Sequence, residues 1–330
     1  MIKETEYTNI QTTLSYRYLS IDVFKGLTVL LMVFANTFSP FENVPAWTQH
    51  AGDFGLTYVD LVAVFFVFMI ALNFKLSFTR RLETKGKKST YLRFIRRYLI
   101  FIGLGLILTM YVDLGGFYFR WGTLQILGFA GLILLFLIKL KASIRFIISL
   151  LMLVVHQILL ITPLSANIYN SIEGGILAMF SWTAMILLSS CIADGLLMEK
   201  VKEYFLYGGI ILTIAGVFTS FFIPFSRTYI TASYTIISVG ISALLYYMIH
   251  FVFEVSARKK AILKKERFFS VVGKNAFLLY LIDFIIAYSI YSILPWDAPV
   301  IIVFIVAFIS VFSIWLIAYL MDRAKMYIII

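Results

Sequence analysis

The sequence predicts an all-α fold, a polytopic bundle of about ten transmembrane helices with its N- and C-termini cytoplasmic. Three observations lead there: the composition, the length of the apolar runs and the one-sidedness of the basic residues. Of 330 residues, 62% are hydrophobic and 14% charged, with a mean hydropathy of +0.95. A soluble domain is closer to half apolar and a quarter charged. A surface this apolar requires lipid as its solvent.

A crossing helix needs about 20 largely apolar residues for a hydrocarbon core of roughly 30 Å. Ten such runs occur, over Leu19–Phe38, Leu56–Phe78, Leu92–Val112, Trp121–Ile138, Ile144–Ile161, Gly174–Leu197, Tyr204–Ile223, Tyr234–Phe253, Phe269–Leu294 and Val300–Leu320. They are continuous, whereas barrel strands alternate over about 10 residues. Without water in the core, helices satisfy every backbone N–H and C=O within one segment.

The basic residues orient the runs. The second loop holds Arg80, Arg81, Lys85, Lys87, Lys88, Arg93, Arg96 and Arg97, and the fourth Lys139, Lys141 and Arg145. The sixth holds Lys200 and Lys202, the eighth Arg258, Lys259, Lys260, Lys264, Lys265 and Arg267. Lys3, Arg17 and Lys25 lie at one chain end, Arg323 and Lys325 at the other. With ten crossings all of these share one side, and basic loops stay cytoplasmic. Of the 28 Lys and Arg, only Arg120 and Arg227 face outward, while Lys75 and Lys274 fall inside runs.

This bias accounts for the net charge of +11. The basic loops are short and lack interleaved aromatics, so they suit anionic lipid headgroups and not nucleic acid. No cleavable signal peptide is expected, because 18 polar residues precede a first run long enough to act as an anchor. Cys191 is the only cysteine, which excludes a disulfide within the chain. No metal is expected, since no cluster has ligand spacing. The chain reads as a tail over 1–18, one membrane domain over 19–322 and a tail over 323–330.

Ionisable groups inside a membrane are expensive, so each is a candidate for function. The outward end of the first helical pair is the richest place. It carries Asn36-Thr37, a loop with Glu42, Trp47 and His50-Ala51-Gly52-Asp53, and then Gly55-Leu56-Thr57-Tyr58-Val59-Asp60. Histidine serves as base, acid or nucleophile near neutral pH, and a nearby carboxylate can orient its ring. On local sequence alone, a loop histidine and a helix-start aspartate favoured by the dipole are the preferred explanation.

The remaining polar groups read as structural, except Asp283 near the middle of the ninth run, for which lining a polar cavity and bonding another helix are both open. His156 and His250 lie in separate runs, where hydrogen bonds to neighbouring helices are favoured over a haem. Lys274 and Asp283 are nine residues apart, on opposite faces of a continuous helix. Asp22 and Lys25 suit interfacial anchoring. Cys191 suits a buried inert thiol.

Arg17-Tyr18-Leu19-Ser20-Ile21-Asp22-Val23-Phe24-Lys25-Gly26 resembles the R-x-x-S-x-D-x-F-R-G opening of the heparan-α-glucosaminide N-acetyltransferase family, and Val33-Phe34-Ala35-Asn36 follows it as there. His50-Ala51, Gly55-Leu56-Thr57-Tyr58-Val59-Asp60-Leu61-Val62 and Phe65-Phe66-Val67-Phe68 are similar to the family's H-A-x-W-N-G-L-T-x-A-D-L-V-F-P-x-F-V-F. Fainter echoes follow in order at Arg120 to Gln125, Glu173-Gly174-Gly175, Thr231-Ala232-Ser233-Tyr234 with Gly240, and Gly273-Lys274-Asn275-Ala276 with Tyr280. The chain departs from the pattern at Lys25 for Arg, Asp53-Phe54 for Trp-Asn, Val64 for Pro and Ile126 for Arg.

The resemblance implies a compact transmembrane acetyltransferase, of prokaryotic type, in a prokaryotic plasma membrane. Its donor would be cytoplasmic acetyl-CoA, and its acceptor an amine or hydroxyl, expected on a sugar, on the far side. The catalytic role of the family's H-A histidine falls on His50, with Asp60 as orienter and Asn36 as hydrogen-bonder. By charge and side, Arg17, Lys25, Arg96, Arg97 and Lys274 are candidates for the CoA phosphates. A pantetheine arm does not comfortably span a full core of about 30 Å, so a cavity between helices is expected. Membrane lipids are the other partners, and a homodimer is compatible with the sequence. The competing readings are a secondary transporter or flippase using the buried carboxylates and histidines, which would favour broken, repeated halves, and a family member that binds without catalysing.

Overall fold

A computed structural model describes residues 17–113, 116–256 and 266–328. Most of the N-terminal tail and five of the eighth loop's basic residues (Arg258, Lys259, Lys260, Lys264 and Lys265) lie outside the described residues. The helices are α1 (Leu19–Phe38), α2 (Tyr58–Leu108), α3 (Thr123–Leu137), α4 (Ala142–Leu160), α5 (Ser165–Tyr169), α6 (Met179–Leu197) and α7 (Gly208–Ser220). Then come α8 (Ala232–His250), α9 (Phe268–Lys274), α10 (Ala276–Ile293) and α11 (Val300–Arg323). Wider π turns precede α7 (Lys202–Tyr207) and extend α8 (Phe251–Val255).

Among the described residues, eight helical segments are long and apolar enough to cross a membrane. One of them is α2, whose 51 residues span roughly 77 Å at 1.5 Å per residue. That is more than two core thicknesses. It is interrupted at Gly86, whose φ of 74° lies in the left-handed region that glycine enters at little cost. Taking its two halves separately and adding the shorter α3 recovers the ten apolar runs.

The details differ from the expectation in four places. The basic second loop is helical on both sides of Gly86. The third run ends at Leu108, and Met110–Asp113 (β1) pairs antiparallel with Gly116–Phe119 (β2), Tyr111 opposite Tyr118. The sixth run starts only at Met179, after a tight turn over Ile172–Gly174 in which Glu173 has a φ of 53°. The ninth run breaks at Asn275, whose side chain donates to the Met326 carbonyl and accepts from the Ile328 N–H, each at 3.0 Å.

The chain divides into two compact units interleaved along the sequence. The first holds 52–55 and 70–247, and the second 18–51, 56–69 and 248 onward. In the first, Leu153, Ala184 and Ala232 form a buried apolar cluster joining α4, α6 and α8. In the second, Phe38 and Phe41 pack with Ala298, Val303 and Ala307, so the end of α1 and its following loop lie on the start of α11. The closest helix pair there is α1 with α9. A Cβ on Gly26 would lie 1.9 Å from the Phe269 carbonyl oxygen, and one on Gly273 1.8 Å from that of Asp22. Small residues let helix backbones meet where lipid offers no hydrophobic drive to association.

The first unit also holds a buried ion cluster. Arg145, 0% exposed, donates to the Ser190 hydroxyl at 2.5 Å and to Asp194, which Lys75 contacts at 2.8 Å. One carboxylate thus serves two cations within apolar helices. Removing it strands the Arg145 charge, a loss of about 3–5 kcal/mol for a broken buried pair. Asp194→Ala is expected to lower the melting temperature in detergent sharply, and Asp194→Asn, which still accepts hydrogen bonds, less so. Equal melting of all three proteins would refute this.

Candidate active site

The parts of the 39–57 loop that belong to the second unit, 39–51 and 56–57, are tied down by their own polar groups. The Glu42 N–H donates to the Trp296 carbonyl at 3.0 Å, Asn43 to the Asp297 carbonyl at 2.8 Å and Gln49 to the Phe41 carbonyl at 2.7 Å. Trp47 lies against Tyr58 and Phe304. The Thr57 hydroxyl sits 2.8 Å from the Gln49 carbonyl and 3.1 Å from Asp60 Oδ2, with one proton to direct at either.

These ties present His50 to Asp60. His50 Nδ1 is 2.7 Å from Asp60 Oδ1, and Asp60 Oδ2 accepts from the Thr57 N–H at 2.8 Å and the Ala51 N–H at 3.3 Å. Asp60 is the third residue of α2, where a carboxylate satisfies an otherwise unpaired N–H of the helix start. The same carboxylate therefore caps the helix start and contacts the His50 ring. Exposure is divided unequally, with 42% of the His50 side chain open and 1% of Asp60. An ionised carboxylate only accepts, so Nδ1 is the donor of this bond and Nε2 is the ring nitrogen left outside it. The pair has the geometry that a base–orienter pair would need.

Asn36 belongs to a second polar pair in the same unit. Its Nδ2 donates to Asp283 Oδ2 at 2.6 Å, and the Tyr291 hydroxyl donates to its backbone carbonyl. Among the described residues no hydrogen bond joins Asn36 to His50. Lys274 pairs with Asp322 at 2.6 Å, so Lys274 and Asp283 have separate partners, as their spacing suggests. The helix break at Asn275 replaces the opposite-faces argument as the reason.

The basic candidates are spread over both units. Arg17 and Arg96 are exposed and Arg97 is half-buried beside the rings of Tyr98 and Phe101. Lys25 is 3.9 Å from Asp22, near the α1–α9 contact that also carries Lys274. His156 bonds the Tyr229 carbonyl at 2.8 Å and His250 approaches Ser20 at 3.4 Å. The two histidines fall in different units, each engaged with a neighbouring segment.

Three sets of contacts were not foreseen from the sequence. Asp194 was detectable as a lone carboxylate in an apolar run. Glu173 pairs with Arg227, one of the two outward basic residues. Asp53 and Phe54, where the chain departs from the family pattern, join an aromatic group in the first unit. Phe54 stacks on Tyr229, which also meets Tyr169, and the Asp53 carboxylate beside Tyr169 holds that phenol above its usual range.

Taken together, the fold and site define a multi-pass integral membrane protein that carries a hydrogen-bonded histidine–carboxylate pair. The family described as heparan-alpha-glucosaminide N-acetyltransferase, catalytic, matches residues 17–252, well over half of the chain. The chain belongs to this family of transmembrane acetyltransferases. No curated protein matches it. The matched stretch contains Asn36, His50 and Asp60 and stops short of Asp283 and Tyr291.

Proposed function

We propose that the protein carries acetyl groups from cytoplasmic acetyl-CoA to an amine or hydroxyl, expected on a sugar, at the far side of the membrane, with His50 at the reacting centre. The observation that carries this reading is the open His50 ring hydrogen-bonded at 2.7 Å to the buried Asp60 carboxylate. Such a ring takes a proton at Nε2 while the carboxylate stabilises the imidazolium. In one course the acceptor attacks the thioester carbonyl and gives its proton to Nε2. The C–S bond then breaks and the proton passes to the thiolate, releasing CoA. In the other course Nε2 itself attacks, CoA leaves, and the acceptor takes the acetyl group from the imidazole.

The phosphates of CoA would seek Arg17, Lys25, Arg96, Arg97 and Lys274 on the basic side, Arg being the better fork for a phosphate. Lys274 already serves Asp322, so Arg96 and Arg97 are the stronger candidates.

Purified protein in detergent is expected to bind acetyl-CoA and release CoA when an amino sugar such as glucosamine is added. Release of about one CoA per chain without acceptor marks the acetyl-imidazole course, the kinetic fingerprint of a covalent intermediate. Folded protein that neither binds nor turns over acetyl-CoA would refute the acetyltransferase reading. A flux assay in vesicles would then test the transporter reading.

A further inference from the structure

At the end of α1, where Phe34 and Phe38 pack with Ile290 of α10 and with Leu294 just after it, Asn36 is held by α10 at two polar points. The Asn36 carbonyl would ordinarily accept from the N–H of residue 40, but residue 40 is proline and has none. The Ser39 N–H reaches it instead at 3.2 Å, and the Tyr291 hydroxyl adds a second donor. Two turns back on the same face of α10, Asp283 accepts from the Asn36 amide at 2.6 Å. Ala287, buried between them, leaves room for the approach.

Tyr291 secures the backbone at this point, so the Asp283 contact is not needed to hold the helices together. Asp283 is 1% exposed, and among the described residues no cation pairs with it. A carboxylate in that setting is costly compared with a packed apolar side chain. What it does uniquely is orient an amide. An ionised carboxylate only accepts, so it selects Nδ2 and turns Oδ1 away. Among the described residues Asn36 Oδ1 accepts no hydrogen bond, and Asn36 is only half-buried.

We propose that Asp283 is a positioning residue that fixes the Asn36 amide, so that its Oδ1 and second N–H are offered to the reactants in one orientation. The inference rests on the acetyltransferase reading and adds a residue beyond the stretch matched to the family.

The test is a double-mutant cycle on acetyl-CoA turnover in detergent-purified protein. Asp283→Asn is expected to lower kcat roughly 10–10²-fold, the scale of a misplaced group, with the acetyl-CoA KM within about twofold. Asn36→Ala should fall at least as far, and the double variant no further than Asn36→Ala alone, because one residue acts through the other. Effects that multiply, or an unchanged kcat in Asp283→Asn, would overturn the proposal. If Asp283→Asn does not fold, the exchanged pair Asn36→Asp with Asp283→Asn keeps one amide against one carboxylate. It should fold and remain slow, since a carboxylate now stands at position 36. Restored kcat, or failure of the exchanged pair to fold, would overturn the proposal as well. A wild-type protein without acetyl-CoA turnover sinks the enzyme reading itself, whereas turnover with independent effects sinks this inference alone.

Discussion

His50→Ala is expected to abolish acetyl transfer while leaving the protein folded and able to bind acetyl-CoA. The ring is the open member of its pair, with 42% of its side chain exposed, so its removal leaves no large cavity. A positioned base alone contributes roughly 10²–10⁴-fold to a rate, and a nucleophile that carries the acetyl group would be indispensable. Asp60→Asn should also slow transfer by at least about 10²-fold, for a different reason. Its amide oxygen can still accept the Thr57 N–H, but an amide nitrogen facing Nδ1 favours the wrong ring tautomer. Steady-state kinetics beside a thermal melt check both variants. Transfer that survives in His50→Ala would remove the histidine from the chemistry.

A large loss of stability is also expected from Gly273→Ala, with Gly26→Ala as its reciprocal. Judged by helix propensity, alanine should help by up to about 1 kcal/mol. The added Cβ, however, would fall 1.8 Å from the Asp22 carbonyl oxygen, or 1.9 Å from that of Phe269 in the reciprocal case. Both obstacles are backbone, which no rotamer change moves aside. Relief requires α1 and α9 to separate, at a cost at or above the upper end of the ~1–3 kcal/mol typical of overpacking. Loss of the monodisperse peak in size-exclusion chromatography, or a strongly lowered melting temperature, is the expected result. A variant as stable as wild type would mean that α1 and α9 are not in this contact.

The sequence by itself determined the class of fold and the loop that carries the candidate base. Hydrophobic length is a local property, summed over about 20 residues, so the apolar runs were visible without any long-range contact. His50 and Asp60 lie ten residues apart around a helix start, and the same local reading raised them as a pair. It could not separate an oriented base from a loop histidine beside a capping aspartate, because that depends on a bond of 2.7 Å and on burial. Only the tertiary structure decided that Asn36 meets Asp283 across 247 residues, or that Asp194 joins Lys75 and Arg145. Nothing in a one-dimensional pattern says which buried polar groups face each other, since each apolar run tolerates many rotations about its own axis. The break at Asn275 shows the same limit. Its run is apolar enough to continue as one helix, and at the break the Asn275 side chain bonds a partner 51 residues away at Met326. Periodicity reports what a segment must bury, and the other segments decide what its polar atoms must bind.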